Sequence, residues 1–482
     1  MNQQPDNLST RTLNGTFWSF LDNVLNQGIT FLVGLVLAHY ISPEEYGLVG
    51  IIMIFVVLFN AVIDSGISSA LIRNTNVTDI DYDTAFIANL VMGFAMFGLL
   101  FILAKPIALF FNSPQLTLLT RVMSFVLIVN ALAIVQRTQL TKRIDFKTQT
   151  KISAVSSVFS GIIGISMAVK NCGVFSLIGQ QISRQCIQTF MLWIWGKWFP
   201  KWRFSWKAFK SMFDYGWKIT LSNIINSLWN EAYQVVIGRF YSASTLGQYT
   251  RAKQFTDICS SNLTTVIQRV TFPSLSEIQN DPIRLKNAYR RIIRVTVLFS
   301  FVLLFGMAAI SDNLVYVLIG PQWTDAAKYL PIICFQCVFF PLSSVNLNIL
   351  MVKGETSTYL YLEIAKRIIA LLPLIVGALC NIEAMLFASV VYGIIAYFLN
   401  SYYSGRIISY TVREQIKDII PALIIAILMA IIVYGLNFIN ISCFLQLPLQ
   451  ICVGTLVVLI SLYLSKNEDA NEILKLLKVR FL

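Results

Sequence analysis

The stretch Val235–Asp257, VVIGRFYSASTLGQYTRAKQFTD, decides the fold of this chain. Its apolar start, short polar turn and mixed second half predict the end of one membrane helix and the start of the next. An earlier copy, VLAHYISPEEYGLVGIIMIFVV at Val36–Val57, lies 200 residues upstream and aligns Gly47 with Gly247. Each copy lies near the start of one half of the chain. Such duplication is typical of transporters whose two halves move around a site at the membrane midplane.

The composition indicates a membrane protein. Of the 482 residues, 56% are hydrophobic and only 13% are charged, whereas soluble proteins average about 25% charged residues. Apolar runs of about 20 residues, long enough to cross a hydrocarbon core of ~30 Å, recur along the chain. The expected fold is an all-α polytopic membrane protein with about 14 transmembrane helices, in two pseudo-symmetric six-helix lobes plus two C-terminal helices.

The order of the apolar runs predicts five segments. They are an N-terminal lobe with helices one to six (1–198), a cytoplasmic interfacial linker (199–212), a C-terminal lobe with helices seven to twelve (213–410), two extra helices (411–465) and a cytoplasmic amphipathic tail (466–482). The first, seventh and eighth predicted helices are poor in apolar residues. Helices that line a polar cavity have this composition, and helices that face lipid do not.

The distribution of Lys and Arg predicts the orientation. Loops after even-numbered helices hold most of these residues, and loops after odd-numbered helices hold little beyond Lys105 and Lys170. Cytoplasmic loops carry the basic excess, so both termini are expected in the cytoplasm. By the same rule, residues 312–323 and 438–443 are expected to face outward. The net charge of +13 therefore has a membrane explanation.

The segment Trp195–Lys210, WGKWFPKWRFSWKAFK, alternates aromatic and basic residues. Proteins that bind single-stranded nucleic acid use this pattern. The membrane setting favours a different interpretation, in which the aromatic rings lie at headgroup level and the Lys and Arg side chains face anionic lipid. We therefore expect membrane lipids, and no nucleic acid, as partners of this segment.

Charged residues inside the predicted helices are the candidate functional groups, because ionisable side chains are costly in a membrane. The cations Arg184, Arg251 and Lys253 are predicted to lie deepest, and Arg121 lies about two turns inside. A cationic cluster suits an anionic substrate, and the planar Arg guanidinium matches phosphate oxygens. The alternative, that these bases and the intramembrane acids simply pair to hold helices together, stays open.

The intramembrane acids are candidates for coupling to an ion gradient. Glu231 and Asp257 lie nearest the middle of predicted helices, and Asp22 and Asp64 lie toward the cytoplasmic side. Desolvation disfavours the charged form of a carboxylate, so such a group can exchange a proton near neutral pH. No cofactor is expected. We do expect transport to be coupled to an H⁺ or Na⁺ gradient.

Arg251 and Lys253 stand two positions apart, which is about 200° around a helix axis, so the two side chains cannot share one face. We expect Arg251 to face the cavity, because it is the basic residue within the motif LGQYTRA. Lys253 would then pair with another residue or face a neighbouring helix.

Motifs for catalysis and metal binding are missing from the sequence. There is no GxxxxGK[ST] loop for a built-in ATPase, and the one histidine, His39, can form neither a metal site nor a catalytic triad alone. Cys334 and Cys337 form a CxxC pair inside an apolar run, where small buried hydrophobic residues are the better interpretation. No catalytic residue and no metal ligand is predicted.

Six motifs carry a resemblance to a known family. They are DSGISSALIR (Asp64–Arg73), TKRIDFKTQT (Thr141–Thr150), CGVFSLIGQQI (Cys172–Ile182), LGQYTRAKQF (Leu246–Phe255), FPSLSEIQNDPIRLKNAYRR (Phe272–Arg291) and GPQWTDAAKYLP (Gly320–Pro331). In this order they resemble the Wzx-type, WzxC-like oligosaccharide flippases of the multidrug/oligosaccharidyl-lipid/polysaccharide (MOP) exporter superfamily. The resemblance covers helices one to twelve, and the last two helices are only generically apolar.

The resemblance implies two lobes around a cationic cavity and export of an undecaprenyl-diphosphate-linked oligosaccharide to the outer leaflet of the bacterial inner membrane. A polysaccharide polymerase and the chain-length machinery are the further partners it implies. The polar residues Asn26 and Asn226, which the internal repeat aligns, suit hydrogen bonding to sugars. The predicted substrate-binding set is therefore Arg251, Lys253, Arg184, Arg121, Asn26 and Asn226. The predicted coupling set is Glu231, Asp257, Asp64 and Asp22.

Three other functions compete with this prediction. A drug/cation antiporter of the same superfamily would favour an acidic or aromatic pocket, against the basic surplus of this chain. A flippase for a peptidoglycan precursor would need the same cavity chemistry, and the sequence does not separate the two. A membrane glycosyltransferase or polymerase would need a sizeable outer loop with polar catalytic residues, and the predicted outer loops are all short.

Overall fold

The structure is a computed structural model, and it describes residues 8–64, 66–196 and 198–464. The chain divides into two compact units, Met1–Gly247 and Gln248–Leu482. The helices of the first unit are α1 (Leu8–Tyr40), α2 (Pro43–Asp64), α3 (Ile67–Arg73), α4 (Asp79–Phe110), α5 (Leu116–Ala131), α6 (Ile134–Lys142), α7 (Phe146–Val169), α8 (Phe175–Gly196) and α9 (Trp206–Phe240).

Helix α10 (Ala243–Glu277) begins in the first unit and continues into the second. The helices that follow are α11 (Pro282–Ala309), α12 (Ser311–Ile319), α13 (Thr324–Cys337), α14 (Phe339–Val352), α15 (Thr356–Ile369), α16 (Leu371–Leu379), α17 (Ile382–Ile408), α18 (Val412–Gly435) and α19 (Cys443–Leu464). Short 3₁₀ turns at Pro321–Trp323 and Leu436–Phe438 connect α12 to α13 and α18 to α19.

The all-α polytopic membrane fold is confirmed. Every predicted membrane helix coincides with a helix or with two helices separated by a short break, and the described residues contain no strand. Nine helical segments among them are long and apolar enough to cross a membrane, or ten if the bent pair α5–α6 counts as one crossing. The long helices α9 and α10 are outside this group, as expected for the polar seventh and eighth helices.

Several predicted helices are broken. Between α2 and α3, Gly66 adopts a left-handed conformation with a φ of 62°. A Cβ atom there would lie 2.4 Å from the carbonyl oxygen of Gly216 in α9, so only glycine allows this close approach. Helices α5 and α6 are bent by 41°. At the bend, the indole Nε1 of Trp193 donates to the carbonyl oxygen of Leu132 at 2.9 Å.

The internal repeat reappears in the helix boundaries. Helices α1 and α9 end at Tyr40 and Phe240, and α2 and α10 begin at Pro43 and Ala243, which keeps the same offset of 200 residues. The serine before each second helix makes a local cap. Ser42 Oγ donates to Glu45 at 3.0 Å, and in the later copy the backbone N–H of Thr245 donates to Ser242 Oγ at 3.1 Å.

The predicted linker is partly helical, because α9 begins at Trp206. The extended residues before α9 are fixed to α4 by Asp83, which is only 1% exposed. This carboxylate accepts from Arg203 Nε at 2.8 Å and from the backbone N–H of Lys201 at 3.0 Å. The boundary between the compact units falls at Gly247 rather than in the linker, and the five-segment division stays a prediction. The predicted tail at 466–482 lies outside the described residues.

Candidate functional site

Asn26 of α1 is the centre of a polar cluster in the first unit. Its Nδ2 donates to Asp22 at 2.7 Å and to Ser153 Oγ at 2.9 Å. Its Oδ1 accepts from Ser157 Oγ at 2.9 Å, and Ser153 Oγ also bonds to Asp22. Arg184 of α8 donates weakly to Asn26 Oδ1 at 3.5 Å. The hydrogen bonds therefore join α1, α7 and α8 inside the predicted membrane region.

The sequence of α1 and α7 explains why this cluster forms. Positions four apart share one face of a helix, so Asp22, Asn26 and Thr30 form one stripe on α1. The facing stripe on α7 is Ser153, Ser157 and Gly161. Small residues let helix backbones approach closely in a membrane. At Gly161 the approach is so close that a Cβ atom would lie 2.5 Å from a methyl carbon of Val33.

The cluster reaches the middle of the predicted membrane. Arg184 follows the start of α8 by nine residues, and Thr30 precedes the end of α1 by ten. At 1.5 Å per residue, both lie about 14–15 Å from their helix ends, which is half of a ~30 Å hydrocarbon core. Arg184 Nη1 donates to Thr30 Oγ1 at 3.4 Å. Mid-membrane polar groups of this kind are candidates for substrate contact.

A second basic residue, Arg137 of α6, lies near the predicted acids. Its guanidinium interacts electrostatically with both Asp64 and Asp22. Asp64 also accepts from Ser68 Oγ at 2.5 Å. Sequence analysis missed Arg137, because it was placed at the cytoplasmic end of one unbroken helix. The polar run Gln136–Gln139 inside that predicted helix was the signal that could have identified it.

Gln185, next to Arg184 on α8, connects to a second polar layer that sequence analysis did not predict. Its Nε2 donates to Asn130 Oδ1 of α5 at 3.2 Å, and Asn130 Nδ2 donates to Asn60 Oδ1 of α2 at 2.8 Å. Paired amides that hydrogen-bond across membrane helices hold those helices in register. Arg184 and Gln185 therefore connect α8 to two different sets of neighbours.

Helix α9 carries the other predicted polar residues of the first unit. Asn226 is exposed. Glu231, one turn further along, is partly buried and accepts a hydrogen bond from Gln234. Asn226 and Asn26 occupy equivalent places in the internal repeat, but they differ in exposure, because Asn26 is covered by α7.

Arg251 is not an accessible cation in this structure. It is 6% exposed, its Nη1 donates to Gln254 Oε1 at 2.5 Å, and its guanidinium lies 5.8 Å from the ring centroid of buried Trp323. The preceding turn is also fixed, since Gln248 Nε2 donates to the carbonyl oxygen of Gln322 at 2.8 Å. Arg251 is therefore buried in this structure, and its assignment to a substrate cavity stays a prediction. Packing against the start of α13 buries Arg251.

Lys253 and Asp257 form the accessible charged pair of α10. Their side chains are 35% and 48% exposed, and Lys253 Nζ lies 3.8 Å from Asp257 Oδ2. Arg251 is buried and Lys253 is accessible, which agrees with the different helix faces that their spacing predicts. Arg121 is exposed, and its guanidinium lies 4.8 Å from the Phe101 ring centroid.

Helix α15 holds charges that sequence analysis also overlooked. Lys366 is only 8% exposed and forms an ion pair with Glu363, one turn earlier. Arg367 and Glu363 both interact electrostatically with Tyr392 of α17. The signal was present in the sequence, since the motif LEIAKR places three charges within one predicted membrane helix.

An apolar cavity of about 350 Å³ lies between α11, α18 and α19 in the second unit. Its walls include Val302, Met429 and Val458, with Cys259 of α10 at one side and Gln450 among its few polar groups. Such a cavity suits a hydrocarbon chain. Within the described part of the chain, no cluster of His, Cys, Asp and Glu could hold a metal ion.

Comparisons with known proteins give consistent similarities. Residues 36–328, more than half of the chain, match the family model described as polysaccharide biosynthesis protein. The teichuronic acid biosynthesis protein TuaB of Bacillus subtilis (strain 168) is 22% identical over 478 residues, which covers 97% of this chain and 98% of that relative. The lipopolysaccharide biosynthesis protein WzxC of Escherichia coli (strain K12) is 22% identical over 443 residues, 89% of each chain.

The fold also matches a solved structure. The lipid II flippase MurJ in its inward closed conformation superposes with a TM-score of 0.75 at 17% identity, covering 93% of this chain and 98% of that chain. At this identity the match shows a shared fold alone. The resemblance to Wzx-type flippases that the six motifs indicated is confirmed by the family match and by WzxC.

Proposed function

Because the chain belongs to the polysaccharide biosynthesis protein family, we propose that it is a secondary transporter of a lipid-linked oligosaccharide. The substrate is an undecaprenyl-diphosphate-linked repeat unit, moved by alternating access from the cytoplasmic to the outer leaflet of the bacterial inner membrane, with both termini cytoplasmic. The product supplies synthesis of a surface polysaccharide such as O-antigen, capsule or exopolysaccharide. The biosynthetic roles printed in the names of TuaB and WzxC support this proposal.

The observation that carries the proposal is the set of hydrogen-bond partners of Arg184. Its hydrogen bonds go to neutral groups, Thr30 and Asn26, and both are long, at 3.4 and 3.5 Å. Among the described residues, no carboxylate forms an ion pair with it within 4.0 Å. A mid-membrane guanidinium with spare donors suits the diphosphate of the substrate, for which Arg offers a planar, two-pronged contact.

The rest of the substrate also has suitable surroundings. The exposed amides of α9, including Asn223 and Asn226, can bind sugar hydroxyls. The apolar cavity beside Cys259 can accept part of a prenyl chain. Coupling to a proton or sodium gradient is assigned to the acids Glu231 and Asp257, with Asp64 and Asp22 as the other candidates. A polysaccharide polymerase and the chain-length machinery are the proposed downstream partners.

A peptidoglycan-precursor flippase is the second candidate function. The fold shared with the lipid II flippase MurJ favours it, because an undecaprenyl-diphosphate carrier makes the same demands on a transporter. Family membership favours the surface polysaccharide instead. A drug/cation antiporter would favour an acidic or aromatic pocket, which a mid-membrane Arg184 bonded to the neutral groups of Thr30 and Asn26 does not suit.

Complementation tests the proposal. Arg184→Ala should reduce surface polysaccharide in a flippase-deficient strain strongly, since a lost charge-assisted contact costs about 1.5–3 kcal/mol, or about 10- to 100-fold in affinity. Arg184→Lys should recover only part, because the two-pronged contact is lost. Arg406→Ala, at an exposed arginine with an aromatic partner, is the matched control and should behave as wild type.

Two results would contradict the proposal. One is full complementation by Arg184→Ala at normal expression. The other is rescue by the wild-type chain of a strain lacking its peptidoglycan-precursor flippase, without rescue of any surface polysaccharide. The second result would favour the competing substrate.

A further inference from the structure

A second cavity in the second unit has the form of a lipid site. It has a volume of about 780 Å³ and lies between the ends of α11, α13 and α18 that the Lys and Arg distribution places at the outer face. This volume is within the usual range of about 300–1,000 Å³ for ligand sites. None of its residues belongs to the polar cluster around Asn26 or lines the apolar cavity beside Cys259. The two cavities share only the helices α11, α12 and α18, and different residues of these helices line each cavity.

The polarity of this cavity changes with depth. Its inner end is formed by Phe305, Phe335 and Ile427, and its rim carries Asp312 and Lys328. From Lys328 to Phe335, α13 advances about 10 Å, and from Ile427 to its end at Gly435, α18 advances about 12 Å. One leaflet of a ~30 Å core is about 15 Å thick. The cavity therefore spans most of one leaflet, with apolar walls below and charged groups at headgroup level.

The rim is braced by hydrogen bonds. Asn313 Nδ2 of α12 donates to Asn437 Oδ1 at 3.1 Å and to Gln450 Oε1 of α19 at 3.0 Å. Gln450 Nε2 in turn donates to Asn437 Oδ1 at 2.8 Å. These bonds hold the 3₁₀ turn that follows α18, which carries the cavity residue Phe438. The cavity is therefore preformed, and a ligand need not order it.

The charges at the rim have both signs, with an acidic excess. Lys328 Nζ bonds to Asp325 at 2.9 Å and also interacts electrostatically with Glu383 of α17. Asp312 adds a third carboxylate. A lipid with a net negative headgroup would meet this acidic excess. A zwitterionic headgroup matches it, because its ammonium can approach Asp312 while its phosphate approaches Lys328.

We propose that the cavity binds a zwitterionic aminophospholipid of the outer leaflet, with one acyl chain between α11, α13 and α18 and its headgroup between Asp312 and Lys328. This lipid is distinct from the transported substrate. Its binding stabilises the packing of α18 on α11 and does not depend on which lipid-linked sugar the protein moves.

The test measures lipid preference on the full chain purified in detergent. Phosphatidylethanolamine and phosphatidylglycerol are added separately at equal concentration, and the shift in the thermal unfolding midpoint is recorded. Phosphatidylethanolamine should give the larger shift. Asp312→Asn should lower its apparent affinity about threefold to fivefold, as for an exposed charge pair. Glu44→Gln, at an exposed acid of α2, is the control and should leave the preference unchanged.

A second variant tests the apolar part. Ala430→Trp fills the cavity from α18 and should remove the phosphatidylethanolamine shift and the copurified phospholipid detected by native mass spectrometry. If this variant does not fold, the lipid preference of the surface variant Asp312→Asn still tests the proposal. Equal shifts with the two lipids, an unchanged preference in Asp312→Asn, or retention of a polyprenyl phosphate in place of phospholipid would each overturn the proposal.

Discussion

Gly47 of α2 and Gly247 of α10 are packed reciprocally against each other's helix. A Cβ atom on Gly47 would lie 1.7 Å from the carbonyl oxygen of Ala243, and a Cβ atom on Gly247 would lie 1.8 Å from that of Pro43. The two glycines, and equally Pro43 and Ala243, are related by the 200-residue offset of the internal repeat. The duplicated sequence thus produces a local two-fold contact in which both backbones meet directly.

Alanine at either glycine should therefore separate the first turns of α2 and α10. Backbone oxygens cannot move aside as a flexible side chain can, so we expect Gly47→Ala and Gly247→Ala each to reduce complementation of surface polysaccharide at least about tenfold. A cysteine placed at Ser242 should also react faster with an aqueous maleimide in these variants. Gly50→Ala is the control, because its Cβ atom would have no neighbour closer than 3.6 Å. Wild-type activity of both glycine variants would show that the contact is dispensable.

The accessible Lys253 of α10 should affect transport alone, whereas the buried Arg251 should affect both transport and stability. Lys253→Ala removes an exposed charge next to Asp257, so it should lower complementation without lowering the thermal unfolding midpoint. Arg251→Ala removes the partner of Gln254 and the contact with Trp323, so it should lower both. Measured midpoints and blot-normalised complementation separate the two effects. A stable but inactive Arg251→Ala variant would indicate that Arg251 contacts the substrate.

Local sequence patterns were sufficient to predict the helices, since hydropathy and loop charge are properties of short segments. They were insufficient for the bend between α5 and α6. At that bend, Trp193 of α8, from a distant part of the sequence, donates to the carbonyl oxygen of Leu132. Because the bend was missed, Arg137 was not recognised as a neighbour of Asp64 and Asp22.

The site shows the same division between local and tertiary information. The four-residue spacing of Asp22, Asn26 and Thr30 puts them on one face of α1. Their partners on α7 and α8 depend on helix packing that no local pattern specifies. For α10, the spacing showed that Arg251 and Lys253 point in opposite directions, but the position of Trp323 decides which one is buried.

Coupling of transport to an ion gradient should depend on Glu231 or Asp257. Glu231→Gln keeps a hydrogen-bonding group beside Gln234, and Asp257→Asn keeps the shape of the Lys253 partner, so both variants should fold. In membrane vesicles, transport by at least one of them should lose its dependence on an imposed ion gradient. Asp325→Asn, at an exposed acid that also pairs with a lysine, is the control. Normal gradient dependence in both test variants would make these acids structural.

The ion pair between Glu363 and Lys366 tests how a buried charge is tolerated in α15. Lys366 is 8% exposed, and its partner lies one turn away on the same helix. Removing one member of a buried pair leaves an uncompensated charge and costs about 3–5 kcal/mol, whereas replacing both members is often neutral. The exposed pair Lys328–Asp325 has the same i, i+3 spacing and provides a matched comparison.

Lys366→Met should therefore lower the free energy of unfolding by about 3–5 kcal/mol, and the double variant Glu363→Gln/Lys366→Met should recover most of that loss. Lys328→Met should cost much less than Lys366→Met, because its pair is solvated. Denaturant titration of the purified chain measures all three. Complementation by the double variant then separates two roles for the pair. A stable, active double variant means that it serves packing alone, and a stable, inactive one means that transport uses the charges. If Lys366→Met were as stable as Lys328→Met, the assignment of Glu363 and Lys366 as a buried, mutually compensating pair would be wrong.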